Sequence, residues 1–132
     1  NPTIDSGQVE GSFIQGMGWL TTEELVWTDK GQLATKAPST YKIPTAADVP
    51  ARLNVHLWPE ENMEDTVFRS KAVGEPPFML AISVWEALRE AIAAARADRG
   101  LAGAAAVQMD APATAERVLW AIAQRRESPE KA

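Results

Sequence analysis

The sequence contains no cysteine and a single histidine, and these two shortages exclude several kinds of site. Without cysteine there can be no disulfide, no thiolate metal ligand and no cysteine nucleophile. The one histidine, His56, cannot by itself build a histidine-rich metal cage, so no protein-ligated metal is expected. The absence of cysteine also fits a reducing compartment, and we take the cytoplasm as the expected location.

Basic residues are outnumbered and do not cluster. Thirteen Lys and Arg stand against eighteen Asp and Glu, which gives a formal net charge of −5. Nucleic-acid binding needs a basic patch or stripe, and the longest basic run here is Arg125-Arg126, so that function is disfavoured. No segment reaches the length of about 18 apolar residues that a membrane span requires, and no membrane association is expected.

The chain is long enough for one core. It has 132 residues, of which 45% are hydrophobic, so we predict one domain over residues 1–132 with residues 124–132 as a frayed, charged tail. Residue 1 is not methionine, and the first residues do not have the basic and apolar regions of a signal peptide. We therefore expect the sequence to begin inside a longer polypeptide.

Apolar residues recur at helical spacing in three stretches. The first predicted helix covers about residues 7–24, where Asp5 and Gln8 have the spacing of a capping box. The second, with the clearest periodicity, covers about residues 78–98, and a third is opened by residues 112–114.

Glycine is concentrated in the first of these helices. Each of its glycines lowers helix stability by up to about 1 kcal/mol relative to alanine. We therefore expect close packing of this helix against a neighbouring backbone or a bulky ligand. The glycines are Gly11, Gly16 and Gly18.

Three other stretches indicate short strands. Residues 25–35 have the pattern of a hairpin with Gly31 in the left-handed position. Residues 53–58 alternate between apolar and polar, and residues 66–70 can form a further strand. Together with the helices, these stretches predict an α+β fold, in which two main helices pack on a small mixed or antiparallel sheet.

The stretch with the most specific chemistry is residues 70–78, which opens directly onto the second predicted helix. Pro76 and Pro77 fix the backbone, while Gly74 permits a close approach or a positive φ, so Glu75 is held at the mouth of a helix. On residue chemistry alone, Glu75 is either a carboxylate favoured by the helix dipole or a functional carboxylate. Gln8 is likewise either a helix cap or a ligand contact, and its spacing favours the cap.

Six multi-residue motifs follow one another along the chain, at residues 1–2, 7–11, 15–16, 23–25, 38–44 and 70–77. In this order and at compatible spacing, they resemble the C-terminal part of the molybdenum-binding large subunit of bacterial xanthine dehydrogenases, which belong to the xanthine oxidase or molybdenum hydroxylase family. The resemblance is specific over roughly residues 1–98 and loose over residues 110–121.

The resemblance implies roles for three residues. In this family molybdenum is held through a molybdopterin cofactor, with no direct protein ligand. Glu75, in the Gly-Glu-Pro-Pro motif, would be the general base in the hydroxylation of xanthine or hypoxanthine. Gln8 and Gly74 would contact the cofactor. FAD and 2Fe-2S clusters, held in other domains or subunits, would carry the electrons to NAD.

The resemblance also implies that this chain lacks the substrate pocket. The substrate-orienting residues and most pterin-binding loops would precede residue 1, in the remainder of the large subunit. That remainder and the subunit holding FAD and iron–sulfur clusters are the expected partners, with a purine as substrate. By itself the chain is expected to bind molybdopterin weakly or not at all and to be inactive.

Two alternatives remain at this point. The parent can be a related molybdenum hydroxylase that acts on an aldehyde or another N-heterocycle, although residues 39–44 favour the purine enzyme. Separated from its parent, the chain can also act only as a non-catalytic packing or assembly module. Exposed apolar patches would then lead to self-association.

Overall fold

The computed structural model describes residues 1–101 and 107–123. The alanine-rich residues 102–106 and the predicted tail at residues 124–132 lie outside the described part of the chain. In the described ranges, three α-helices form: α1 (Pro2–Thr21), α2 (Ile82–Ala97) and α3 (Ala115–Ala123). There are also three short 3₁₀ helices, Ala46–Asp48, Val67–Arg69 and Pro76–Ala81.

Helix α1 begins earlier than its periodicity predicted. Asn1 is the N-cap, and its side-chain oxygen accepts a hydrogen bond from the backbone N–H of Thr3 at 3.1 Å. Pro2 occupies the first turn, where its missing N–H costs nothing. The predicted capping box of Asp5 and Gln8 is therefore wrong, because an asparagine followed by proline starts the helix one turn sooner. Gln8 lies inside α1, and its side chain is exposed.

The predicted α+β class is also wrong, because residues 1–101 and 107–123 contain no strand and no sheet. Backbone pairing of the sheet type is limited there to one antiparallel bridge between Trp27 and Leu33. The turn between these two residues forms as predicted, with Gly31 in the left-handed region at φ 71°. The expected hairpin is thus reduced to its turn and a single bridge.

The other two predicted strands fail for different reasons. Residues 53–58 are free of helix but lie beside no partner strand in the described ranges, so their alternation leads to no sheet pairing. Leu53 and Val55 are half-buried, while Leu57 is exposed. Residues 66–70 contain the 3₁₀ helix Val67–Arg69, where Phe68 and Arg69 both take φ 52°. Two successive left-handed residues turn the chain sharply, which a strand cannot do.

Helix α1 packs along the 3₁₀ helix Pro76–Ala81 and the first turns of α2. The rings of Trp19 and Phe78 meet edge to face across this contact, with centroids 4.9 Å apart. The predicted helix at residues 78–98 forms, but its beginning is a 3₁₀ helix because Pro76 and Pro77 provide no N–H for longer-range bonds.

The second contact in the fold joins α2 to α3. Arg96 on α2 is only 5% exposed, and its Nη1 donates to the carbonyl oxygen of Ala121 on α3 at 2.9 Å. The small apolar core of this contact consists of Ile92, Ala93, Val107 and Ala121, with Met109, Val118 and Ile122 packed against it.

The long segment between α1 and α2 leaves large apolar side chains uncovered. Trp58 is 82% exposed, Met63 is 96% exposed and Phe68 is 98% exposed. Scattered single cases are ordinary, but three bulky side chains this exposed in one segment are typical of a surface that contacts another part of a protein. Among the described residues, no helix is long and apolar enough to cross a bilayer.

Candidate active site

One face of α1 is lined with small residues and lies directly against residues 74–81. Ser12 is 3% exposed, and its Oγ donates to the carbonyl oxygen of Gly74 at 2.5 Å. One turn further along, a Cβ added at Gly16 would lie 2.6 Å from the carbonyl oxygen of Phe78 and 2.9 Å from the Cβ of Ala81. The predicted close packing of this glycine-rich helix is therefore confirmed at Gly16, where the neighbour is backbone.

Gln8 lies one turn before Ser12 on the same face and reaches the same segment. Its Nε2 is 3.6 Å from the position that a Cβ would occupy on Gly74. The structure thus brings together Gln8 and Gly74, two of the three residues singled out from the sequence. Gly74 does not take a positive φ, and a Cβ on it would make only an ordinary van der Waals contact with Gln8.

Glu75, the third residue, follows Gly74 at the beginning of the 3₁₀ helix Pro76–Ala81. Its backbone carbonyl accepts from the N–H of Phe78 at 2.9 Å, but its side chain makes no capping hydrogen bond. The carboxylate is exposed. The Glu75 side chain therefore does not cap the helix, and its carboxylate is available to contact a bound group.

The residues present fit a polar, uncharged or electron-poor group bound beside Gly74. The Gln8 carboxamide offers both donors and an acceptor, and the Glu75 carboxylate offers acceptors, while Gly74 presents no side chain that would fill the space. Within the described residues, no three His, Cys, Asp or Glu side chains converge as a metal-binding group.

A second cluster at the other end of α1 was missed from the sequence. Glu23 is 7% exposed and accepts a hydrogen bond from the Tyr41 hydroxyl at 2.5 Å. Gly18 leaves room for this pair, since a Cβ there would meet both the Glu23 carboxylate and the ring of Pro44. The Thr22 hydroxyl adds a bond to the Lys42 carbonyl at 2.8 Å. These hydrogen bonds hold the segment that contains Tyr41 against the end of α1.

The Tyr41 phenol is affected by this environment. Its hydrogen bond to Glu23, its burial and the negative charge of that carboxylate, in this order of size, raise the pKa of Tyr41 above its ordinary value of 10.0. Because the folded protein favours the protonated phenol, the stabilisation is fully present below pH 10 and is lost as the pH rises through the raised pKa.

We expect Tyr41→Phe to lower the free energy of unfolding by about 1–3 kcal/mol at neutral pH, because the buried Glu23 carboxylate loses its donor. The variant should also lose less stability than the unmodified chain when the pH is raised above 10. Tyr41 is the only tyrosine in the chain, so the ultraviolet absorbance of tyrosinate measures its titration directly. A midpoint at or below pH 10 would contradict the assignment.

The described residues also form a cleft of about 480 Å³, but it lies at the Tyr41 end of α1 and does not include Gln8, Gly74 or Glu75. Its lining residues are Trp19, Glu23, Glu24, Leu25, Tyr41, Ala111, Pro112 and Arg117. At the candidate site itself, Gln8 and Glu75 are exposed and Gly74 is half-buried.

Comparison with known proteins shows which family this chain resembles. Residues 1–50, which include Gln8, match the family described as molybdopterin cofactor-binding domain. Over 98% of its length, the chain is 45% identical to xanthine dehydrogenase 2 of Arabidopsis thaliana, and over 89% it is 50% identical to xanthine dehydrogenase of Dictyostelium discoideum. It is also 48% identical, over 95% of its length, to aldehyde oxidase 2 of Macaca fascicularis.

The chain belongs to the molybdenum hydroxylase family, which contains the xanthine dehydrogenases and aldehyde oxidases. It spans only 8–10% of the length of these relatives. The resemblance seen in the sequence motifs is thereby confirmed at the level of the family.

Proposed function

We propose that this chain provides the general base and one cofactor contact of a xanthine dehydrogenase that hydroxylates xanthine or hypoxanthine. The observation that carries the proposal is the approach of the Gln8 amide to Gly74, directly before the exposed Glu75 carboxylate. The identity of 45–50% to xanthine dehydrogenases supports the reaction class.

Each of the three residues has a distinct task in the proposed reaction. When bound, molybdopterin would supply the oxygen that enters the substrate and would take up the electron pair. The Glu75 carboxylate accepts the proton of the attacking oxygen, a transfer for which a carboxylate is suited when the proton is already acidified. The Gln8 carboxamide holds the bound group by hydrogen bonds, and Gly74 keeps the space next to it open.

A second substrate class is supported by a specific observation. Aldehyde oxidases match the chain at 46–48% identity, nearly as well as the xanthine dehydrogenases. In addition, residues 39–44 favour the purine enzyme by sequence, but the hydroxyl of Tyr41 in this stretch donates a hydrogen bond to Glu23, at the end of α1 away from Gly74. An aldehyde or another N-heterocycle is therefore the alternative substrate.

The proposed partners are the remainder of the large subunit and a subunit or domains that hold FAD and 2Fe-2S clusters, in the cytoplasm. The exposed side chains of Trp58, Met63 and Phe68 support a contact with the remainder of the large subunit, since the relatives are about ten times as long as this chain. The non-catalytic alternative is that this chain, separated from its parent, acts only as a packing or assembly module.

The test of the proposed function uses the full-length protein, purified with its partners and measured for molybdenum content. We expect the kcat/KM for xanthine to be at least about tenfold higher than that for an aldehyde or a non-purine N-heterocycle. A tenfold ratio corresponds to a difference of about 1.4 kcal/mol in transition-state binding. Preference for the aldehyde would select the alternative. Absence of turnover at full molybdenum loading would reject the enzymatic role.

The separated chain, residues 1–132, is expected to show no xanthine oxidation, even when molybdopterin is added. Positioning of reactants supplies about 7–11 kcal/mol of a typical barrier reduction, and the open surface around Glu75 cannot position a substrate. The full-length protein serves as the positive control in the same assay. Detectable turnover by the chain alone would contradict this prediction.

A further inference from the structure

We propose that Ser12 is a positioning residue for Glu75, an inference that rests on the proposed function of Glu75 as the base. Ser12 touches neither substrate nor cofactor in this proposal. It acts through the backbone, by fixing the peptide unit that precedes the glutamate.

The hydrogen bond of Ser12 reaches the peptide group that directly controls Glu75. Its Oγ donates to the Gly74 carbonyl at 2.5 Å, across 62 positions in the chain. The Gly74 carbonyl and the Glu75 N–H belong to the same planar peptide unit. Ser12 therefore restrains the orientation of the peptide plane on the N-terminal side of the Glu75 Cα.

The peptide plane on the C-terminal side of the Glu75 Cα, between Glu75 and Pro76, is restrained as well. The Glu75 carbonyl accepts from the N–H of Phe78 at 2.9 Å, and the ring of Pro76 restricts the chain that follows. With both flanking planes held, the direction of the Cα–Cβ bond of Glu75 is set, and only the side-chain torsions stay free. Without the Ser12 bond, the described residues offer no other hydrogen bond to the peptide between Gly74 and Glu75.

The choice of acceptor by Ser12 supports a specific role. A serine inside a helix commonly donates to the carbonyl one turn earlier on its own helix. Ser12 donates instead across the contact to Gly74, and it is 3% exposed, so water does not compete for this bond. Ser6, on the same helix, makes no side-chain hydrogen bond within the described ranges and offers a matched control.

In the full-length, molybdenum-loaded protein, we expect Ser12→Ala to lower kcat about fivefold while KM and molybdenum content change less than about twofold, because a hydrogen bond of this kind is worth about that factor. Ser6→Ala should leave all three quantities unchanged. Hydrogen exchange provides a readout that is independent of turnover: the amide of Phe78, which donates to the Glu75 carbonyl, should exchange faster in Ser12→Ala and at the normal rate in Ser6→Ala.

A double-mutant cycle separates positioning from general stability. If Ser12 acts through Glu75, then Ser12→Ala has no further effect on kcat in a Glu75→Gln background. Equal losses in both backgrounds, or unchanged kcat and amide exchange in Ser12→Ala, would overturn the positioning role alone. Near-normal turnover of Glu75→Gln would instead reject the proposed function, and the positioning role with it.

Discussion

Replacing Glu75 by Gln in the full-length protein is expected to lower the rate of substrate hydroxylation by about 10²–10⁴-fold at unchanged molybdenum content. Glutamine has nearly the same shape as glutamate but cannot accept the proton. Because the Glu75 side chain is exposed and caps no helix, the substitution should not disturb the fold. The loss should therefore fall on kcat, with KM changed much less.

The control for this experiment is Glu64→Gln. Glu64 is also exposed and lies in the same interhelical segment, and its side chain takes part in no hydrogen bond or ion pair in the described ranges. It changes the net charge by the same amount but should leave turnover unaltered. Near-normal turnover of Glu75→Gln would mean that this carboxylate is not the base, and the base would have to be sought elsewhere in the full-length protein.

Alanine substitution at two glycines of α1 should have effects of opposite sign. Gly16→Ala is expected to lower the free energy of unfolding by about 1–3 kcal/mol or more, because its Cβ would lie 2.6 Å from the Phe78 carbonyl oxygen, a backbone atom that cannot rotate away. Gly11→Ala, whose Cβ would meet nothing within 4 Å, should raise it by up to about 1 kcal/mol through helix propensity.

Urea unfolding followed by tryptophan fluorescence measures both substitutions, since Trp19 lies at the contact between α1 and Phe78. The comparison cancels the effect of alanine on the unfolded chain, which is the same at both positions. If Gly16→Ala were as stable as Gly11→Ala, the close approach of α1 to residues 78–81 would be wrong, and with it the placement of Gln8 against Gly74.

Helical periodicity predicted the three helices because apolar residues at three- and four-residue spacing can be read from local sequence. In α1, however, the buried residues are Ser12, Gly16 and Gly18, which are not part of that apolar pattern. Alternation over residues 53–58 misled because a strand also needs a partner strand, and none lies beside these residues in the described ranges. The start of α1 was misplaced because the capping by Asn1 outweighed the later Asp5 pattern.

Local sequence likewise predicted some residues of the candidate site but not the long-range contacts between them. Glu75 and Gln8 were singled out from motifs, but nothing local brings Gln8 to Gly74, since that approach depends on how closely α1 packs at Gly16. Ser12 was missed because a serine among glycines carries no signal of its long-range bond. Its spacing of one turn from Gly16, which forms a continuous small-residue face, is the signal that could have found it.

Arg96 limits how far this polypeptide can be shortened from its C-terminal side. Its buried guanidinium donates to the Ala121 carbonyl, which lies 25 positions downstream. A truncated version that stopped after α2 would lose this hydrogen bond together with the packing of Ile92 and Ala93 against Val107 and Ala121. Helices α2 and α3 therefore form one inseparable unit for domain dissection, and any chimera that exchanges the C-terminal region should carry both.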